Sequence, residues 1–371
     1  MKGGINLLNF GPGISAESIG RWGQVVEGLG YHGIFISDHV AITPSVAERY
    51  PEPYFDALIT LSWLAGQTRR LDLGTTVIVL PYRHPILLAR HVANLDQLSA
   101  GRVILGVGVG NAADEFAALG VPRDRRGAWS DEMLEAMMAL WAGSGEVTYH
   151  GKHVNFDGVS AVATRQQPHP PIWVGGSSEA AIRRAVRFEA GWHPNNQSAA
   201  LLRDRWLPTL QAEAVRAGKP VPALFPRIHL QITPEPITAP DRAPGTGTLD
   251  QIHEDLRDLQ AIGAEYVVLD WYNAPDLEGA GVRDARAARR AGHRPRAALA
   301  ALAAGGACSR DRRHSDVTRG HSTRRACVRA VAAPVALVRV PAPAPRHRST
   351  RARRPTATSR RHPAAPPSRH A

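Results

Sequence analysis

The segment GIFISDHV, Gly33 to Val40, ends an apolar, strand-like run in two adjacent ionisable residues, Asp38 and His39. A carboxylate and an imidazole delivered together can exchange a proton with a bound molecule, because imidazole is the side chain that titrates near neutral pH. The competing reading is an Asp that caps a turn beside a solvent-facing His. A second stretch, GVGVGN from Gly106 to Asn111, sets glycine at every second position. That suits either a tightly packed strand or a backbone that must approach a flat ligand closely. It is not a dinucleotide fingerprint, because Asn111 stands where that pattern requires glycine. A third, VGGSS from Val174 to Ser178, runs into a helical pattern carrying Arg183 and Arg184. Free backbone N–H groups and the helix dipole make such a turn an anion site. The alternative is simple capping by Ser177 or Ser178.

Other chemistry is not indicated. His84 and His91 lack metal-ligand spacing, and His150 and His153 lie in a polar stretch, so no metal site is expected. Both cysteines, Cys308 and Cys327, fall near the C-terminus, which leaves the rest of the chain without a disulfide or thiolate site.

Elements that could position these residues alternate along the first 275 residues. Strand patterns cover Ile5–Phe10, Gly33–Ser37, Leu71–Leu80, Arg102–Val109, Pro171–Gly176, Gly191–Pro194, Arg227–Thr233 and Ala264–Asp270. Helical patterns lie between them: Ser15–Leu29 with Ser15 as N-cap, Tyr54–Ala65, Ile86–Leu98, one centred on Asp131–Trp141, Glu179–Phe188, Ala199–Ala217 and Leu249–Ile262. VTYHGKHVNFDGV interrupts the alternation with hairpin character. Eight strands separated by helices predict an α/β chain with a parallel sheet closed as a (β/α)8 barrel, whose chemistry sits at the carboxyl ends of its strands. Asp38-His39, Asn111 and Gly175-Gly176-Ser177 all fall at such ends.

The net charge of +12 is unevenly spread. Of 45 basic residues 22, all Arg, lie beyond Ala280 with only 3 of the 33 acidic ones, so the first 280 residues are net acidic, 23 basic against 30 acidic. Residues 1–278 are therefore read as the barrel domain. Residues 279–371 are read as a basic, Arg/Ala/Pro-rich low-complexity tail, expected to be disordered and to reflect a frame change. An alternative role for that tail is salt-sensitive, sequence-blind binding of polyanions or nucleic acid. Without an apolar helix after Asp276, the outer face of the eighth strand at Val267 and Leu269 is expected to be exposed. The N-terminus has no signal-peptide character and no segment reaches membrane-spanning length, so a cytoplasmic protein is expected.

Taken together, GIFISDHV, GTTVIVLPYRHPILLARHVANLDQLSAGRVILGVGVGNAADEF, ALGVPRDRRGAWSDEMLEAMMALW and PPIWVGGSSEAAIRRAVRFEAGWHP resemble the luciferase-like monooxygenase superfamily, in its F420-dependent oxidoreductase branch. The resemblance runs from Met1 to about Tyr272. It implies a (β/α)8 barrel that binds the deazaflavin F420, with FMN as the alternative, at its mouth, acts on a small organic substrate and forms a homodimer. It places Asp38 and His39 beside the ring, with His39 as the proton-transferring catalytic group. It sets Thr76-Val77, joined by a cis peptide, behind the ring. Val109-Gly110-Asn111 would contact ring and ribityl chain, and Gly175-Gly176-Ser177 the phosphate. Some relatives carry a Glu acid where Asn111 stands, and sugar-phosphate-oxidising relatives an aromatic where Thr43 stands. The implied activity is hydride transfer between F420 and substrate; an FMN member would instead be a monooxygenase.

Overall fold

The computed structural model describes residues 1–271. The expected tail, 279–371, and the last residues of the expected barrel domain lie outside them. The chain runs β1 (Lys2–Asn6), α1 (Ala16–Gly28), β2 (Gly33–Ile36), the single turn α2 (Pro44–Ala47), α3 (Ala57–Gln67), β3 (Asp72–Thr75) and β4 (Ile78–Val79). It continues with α4 (Pro85–Leu98), β5 (Val103–Gly108), α5 (Ala113–Ala118), α6 (Arg126–Ala142) and the antiparallel hairpin β6 (Glu146–His150) and β7 (Asn155–Ser160). Then come β8 (Ile172–Gly175), α7 (Glu179–Arg187), β9 (Gly191–His193), α8 (Ala199–Leu201) and α9 (Leu207–Ala217), the last two joined by a π-helical turn. The last are β10 (Arg227–His229), β11 (Gln231–Ile232), β12 (Thr246–Gly247), α10 (Leu249–Ala261) and β13 (Tyr266–Asp270).

The main sheet is parallel in the order β10-β13-β1-β2-β3-β5-β8-β9, with β4 also on β5. Parallel bridges Trp192↔Leu224 and Asn195↔Arg227 join its two ends, so eight strands close into the expected barrel. Local chemistry sets the helix starts. Ser15 caps α1 in a reciprocal pair with Ser18, and Asp56 caps α3 through the amides of Leu58 and Ile59 at 2.8 and 3.0 Å.

The barrel interior is an aromatic plug. Trp173 stacks between Phe35 and Phe225, with ring centroids 5.2 and 4.3 Å away, and Tyr266 meets both Phe35 and Trp173 edge-on. The strands make room with glycine: a Cβ on Gly74 would lie 2.2 Å from the Phe35 ring, and one on Gly4 2.6 Å from it. This explains one displaced boundary. The first strand is Lys2–Asn6 rather than Ile5–Phe10: its Gly-Gly pair is poor in strand propensity, yet Gly4 is needed for packing against the plug.

Three further expectations differ. The strand expected over Leu71–Leu80 breaks at Thr76–Val77, whose peptide is cis as expected, into β3 and β4. The strand expected over Arg227–Thr233 is interrupted at Leu230, whose amide reaches the Asp270 carbonyl while β11 turns away to pair with β12. Val267 and Leu269 are not exposed: both are buried in the apolar layer between barrel and helices.

Candidate functional site

At the carboxyl end of β2 the two adjacent ionisable residues part company. Asp38 is buried, and both its oxygens accept from Arg83, Oδ2 from Nη1 and Oδ1 from Nη2, each at 2.7 Å. Oδ2 also accepts from the amide of Val79 at 2.9 Å. Arg83 Nη2 reaches on to Asp56 Oδ2 at 2.7 Å, tying the β2 loop to the α4 entrance and the α3 cap. Asp38 thus bonds to Arg83 and Val79 rather than to its neighbour His39, and with three acceptor sites engaged it holds the loop.

His39 has a different partner, one that the sequence reading missed. Its Nδ1 lies 2.8 Å from Oε2 of Glu115, while Oε1 accepts from the amides of Val40 at 2.6 Å and Ala41 at 3.1 Å. The Glu115 side chain is fully buried and that of His39 is 14% exposed. Burial by itself would raise the Glu115 pKa. Hydrogen bonds from His39 and the two amides outweigh it, so the carboxyl lies below its ordinary value and is ionised at neutral pH. Glu115 sits on α5, a helix of only six residues and too short to show a period. Its one signal was an acid beside Asp114 just after the glycine-rich strand. Asp114 itself accepts from the hydroxyls of Thr43 and Ser45, which lowers its pKa and fastens the β2 loop a second time. Against His39 lie Tyr50, 4.3 Å between ring centroids, and Tyr54, edge-on at 5.8 Å; Phe10 stacks on Tyr54 behind them.

A second polar group sits where Thr76 interrupts the third strand. The hydroxyl of Thr76 lies 2.9 Å from Nε2 of His193, and its carbonyl accepts from Arg227 Nη1 at 2.7 Å. Arg227 also donates to Asp270, whose other oxygen accepts from Asn6 Nδ2 at 2.9 Å. His193 Nδ1 faces the Phe225 carbonyl. A carbonyl only accepts, so Nδ1 carries the hydrogen and Nε2 accepts from Thr76. Burial, aided by the Arg227 charge, lowers the His193 pKa to about 4 against the Phe225 carbonyl, which raises it. Because the unfolded chain takes up this proton near 6.5, unfolding is favoured as pH falls from about 6.5 towards 4, and the loss is complete below that. A shift of this size corresponds to about 3 kcal/mol. Urea denaturation of wild type and His193→Gln across that window is expected to show a steeper loss in wild type; parallel pH profiles would overturn the assignment.

Val77 explains the glycine spacing. A Cβ on Gly108 would fall 2.6 Å from a Val77 methyl, one on Gly175 2.8 Å from the other methyl, and one on Gly106 2.0 Å from the Thr75 carbonyl. These glycines make room for the break between β3 and β4, which favours the tight-packing reading of GVGVGN. Val109 and Gly110 border the mouth and Asn111 is exposed; Gly110 has φ +73°, as a turn into α5 requires.

At the end of β8, Gly176 has φ +120°, its amide donates to the His193 carbonyl at 3.2 Å, and its carbonyl accepts from Trp192 Nε1 at 2.9 Å. Ser177 Oγ accepts from the Asn195 amide at 3.2 Å, and Ser178 caps α7 through Ala181. The Gly176 amide is thus committed, and in the first turn of α7 the Ala181 amide is met by Ser178, while those of Glu179 and Ala180 have no partner within the helix. Arg183 pairs with Glu179 and Arg184 with Asp131, so neither guanidinium is reserved for a ligand. Beside this turn, Asn196 has a buried Oδ1 without a hydrogen-bond partner.

An eight-stranded parallel barrel with its polar side chains gathered at the strands' carboxyl ends has the layout of a barrel enzyme. The chain belongs to the luciferase-like monooxygenase family, whose pattern matches residues 1–255. It is 31% identical over 222 residues to an F420-dependent glucose-6-phosphate dehydrogenase of Microbacterium testaceum, covering 57% of this chain and 64% of that one. The fold matches an F420-dependent secondary alcohol dehydrogenase in complex with an F420–acetone adduct, with TM-score 0.63, 17% identity and coverage of 75% and 94%. It also matches the oxygenating constituent of 3,6-diketocamphane monooxygenase from Pseudomonas putida in complex with FMN, with TM-score 0.58, 18% identity and coverage of 74% and 93%. No helix among the described residues is long and apolar enough to cross a membrane, and none of their acid, His and Cys groupings could hold a metal ion.

Proposed function

We propose that this protein is an F420-dependent oxidoreductase that transfers hydride between the deazaflavin and a small organic substrate, with His39 handling the accompanying proton. The observation that carries this is His39 at the mouth, held through Nδ1 by a buried carboxylate. Bound at the mouth, the deazaflavin supplies a two-electron hydride carrier.

The residues present fit such a group. The first turn of α7 with Gly175, Gly176 and Ser177 would take its phosphate. The unpartnered Asn196 Oδ1, a buried acceptor, suits a hydroxyl of its side chain. Thr76 and Val77, locked by Arg227 and His193, would back its ring, with Val109, Gly110 and Asn111 along the edge. When an alcohol is oxidised, its C–H electron pair leaves as hydride and its O–H proton passes to His39; in reduction the proton returns. Asn111 is an amide and carries no such proton, which leaves that task to His39. Homodimerisation, also part of this reading, would cover Ile59 and Trp63 of α3 and Leu87 of α4, which are exposed apolar side chains on neighbouring helices.

The second reading, an FMN-dependent monooxygenase, draws on the family's description and the FMN-bound fold relative. Fluorescence titration of the purified full chain with F420 and with FMN separates them. Saturable F420 binding with weaker FMN binding is expected; tight FMN binding without F420 binding would replace the hydride-transfer reading. Polyanion binding by the tail concerns residues outside the described ones.

A further inference from the structure

Glu115 does more than hold the His39 ring in place, because its two oxygens face different kinds of partner. Oε1 is met by two backbone N–H donors, from Val40 at 2.6 Å and Ala41 at 3.1 Å, and neither can turn away without undoing the loop that follows β2. Oε2 faces His39 Nδ1 at 2.8 Å. An ionised carboxylate only accepts, so the hydrogen between them belongs to Nδ1. Neutral imidazole has a single N–H, and the opposite nitrogen, Nε2, must then carry a lone pair. Among the described residues Nε2 has no hydrogen-bond partner. We infer that Glu115 is a positioning residue that fixes His39 in the Nδ1–H tautomer, so that Nε2 is the proton-accepting atom of the site. This rests on the reading of His39 as the proton-transfer group, but it makes a separate claim about the resting imidazole.

The arrangement also dictates what an isosteric change would do. In Glu115→Gln the amides of Val40 and Ala41 still require an acceptor, so the carboxamide oxygen must take the Oε1 position. The carboxamide NH2 is then turned toward His39 and donates to Nδ1. Nδ1 becomes the acceptor and the imidazole hydrogen moves to Nε2. Shape and packing are retained, while the nitrogen that should receive a proton already has one. Misplacing the tautomer in this way removes general-base function without removing the base.

The test is long-range 1H–15N correlation spectroscopy on the full chain labelled with 15N-histidine, loaded with F420. His39→Gln identifies the His39 signal among the 16 histidines. Wild type is expected to show a protonated Nδ1 and an unprotonated Nε2 in the neutral ring. Glu115→Gln is expected to show the reverse, with F420 affinity unchanged and turnover at neutral pH lower by about 10²–10⁴. An Nε2–H tautomer in the wild type would overturn the inference on its own, even if the variant fails to fold. So would a Glu115→Gln protein that keeps the wild-type pattern. If the tautomer inverts as expected but His39→Ala leaves turnover intact, the tautomer assignment stands and the proton-transfer reading of His39 falls.

Discussion

His39→Ala is expected to lower turnover by about a hundredfold or more while leaving the dissociation constant for F420 nearly unchanged. The asymmetry follows from placement. The contacts assigned to the cofactor are made by Thr76, Val77, Val109, Gly110, Asn111 and the turn after β8, and the imidazole bonds to none of these residues; its partner Glu115 sits farther on, within α5. What the ring offers is a proton-accepting nitrogen, and that is needed only as the substrate's proton moves. Truncation also leaves Glu115 buried without its Nδ1–H donor, although the Val40 and Ala41 amides still satisfy Oε1. Some loss of stability will therefore accompany the loss of activity, and measurements belong well below the variant's melting temperature. The readout is the change in deazaflavin absorbance in single turnovers with whichever small organic substrate wild type turns over fastest, alongside a cofactor titration. Partial rescue by added imidazole would identify the missing function as proton transfer. Unchanged turnover, or a loss explained entirely by weaker cofactor binding, would remove His39 from the chemistry.

The architecture was legible in the sequence because barrel strands are short apolar runs and the helices between them are amphipathic at a period that any reading can detect. The N-cap at Ser15, the hairpin and the cis peptide at Thr76–Val77 were legible too, the last through family resemblance rather than residue chemistry. The electrostatics of the mouth were not. Asp38 and His39 are neighbours in sequence, and adjacency suggested a pair. On an extended segment successive side chains point in opposite directions, so one turns inward to Arg83 and the other toward Glu115. Their partners lie 45 and 76 residues away, Arg83 just ahead of α4 and Glu115 within α5. No local pattern carries that information. The glycines at 106, 108 and 175 had the same ambiguity: spacing says that something large comes close, and only the fold says that it is the backbone of Thr75 and the side chain of Val77.

Arg83→Leu is expected to destabilise the fold by about 3–5 kcal/mol, because it strands a buried charge. The Asp38 side chain is fully buried and that of Arg83 is 10% exposed, so water cannot replace the lost guanidinium. Only the Val79 amide would remain on Asp38. Asp56, at 40% exposure, can recover solvent and keeps its capping bonds to α3, so its share of the loss is small. Despite its burial, Arg83 is held above its ordinary pKa by these two carboxylates, so the guanidinium stays charged. The decisive comparison is a double-mutant cycle by urea denaturation with Asp38→Asn, which retains an acceptor for the Val79 amide but has no charge to strand. Arg83→Leu in that background is expected to cost much less than in wild type, since the main penalty is the uncompensated carboxylate rather than the missing side-chain volume. Equal costs in both backgrounds would mean that Arg83 contributes packing alone.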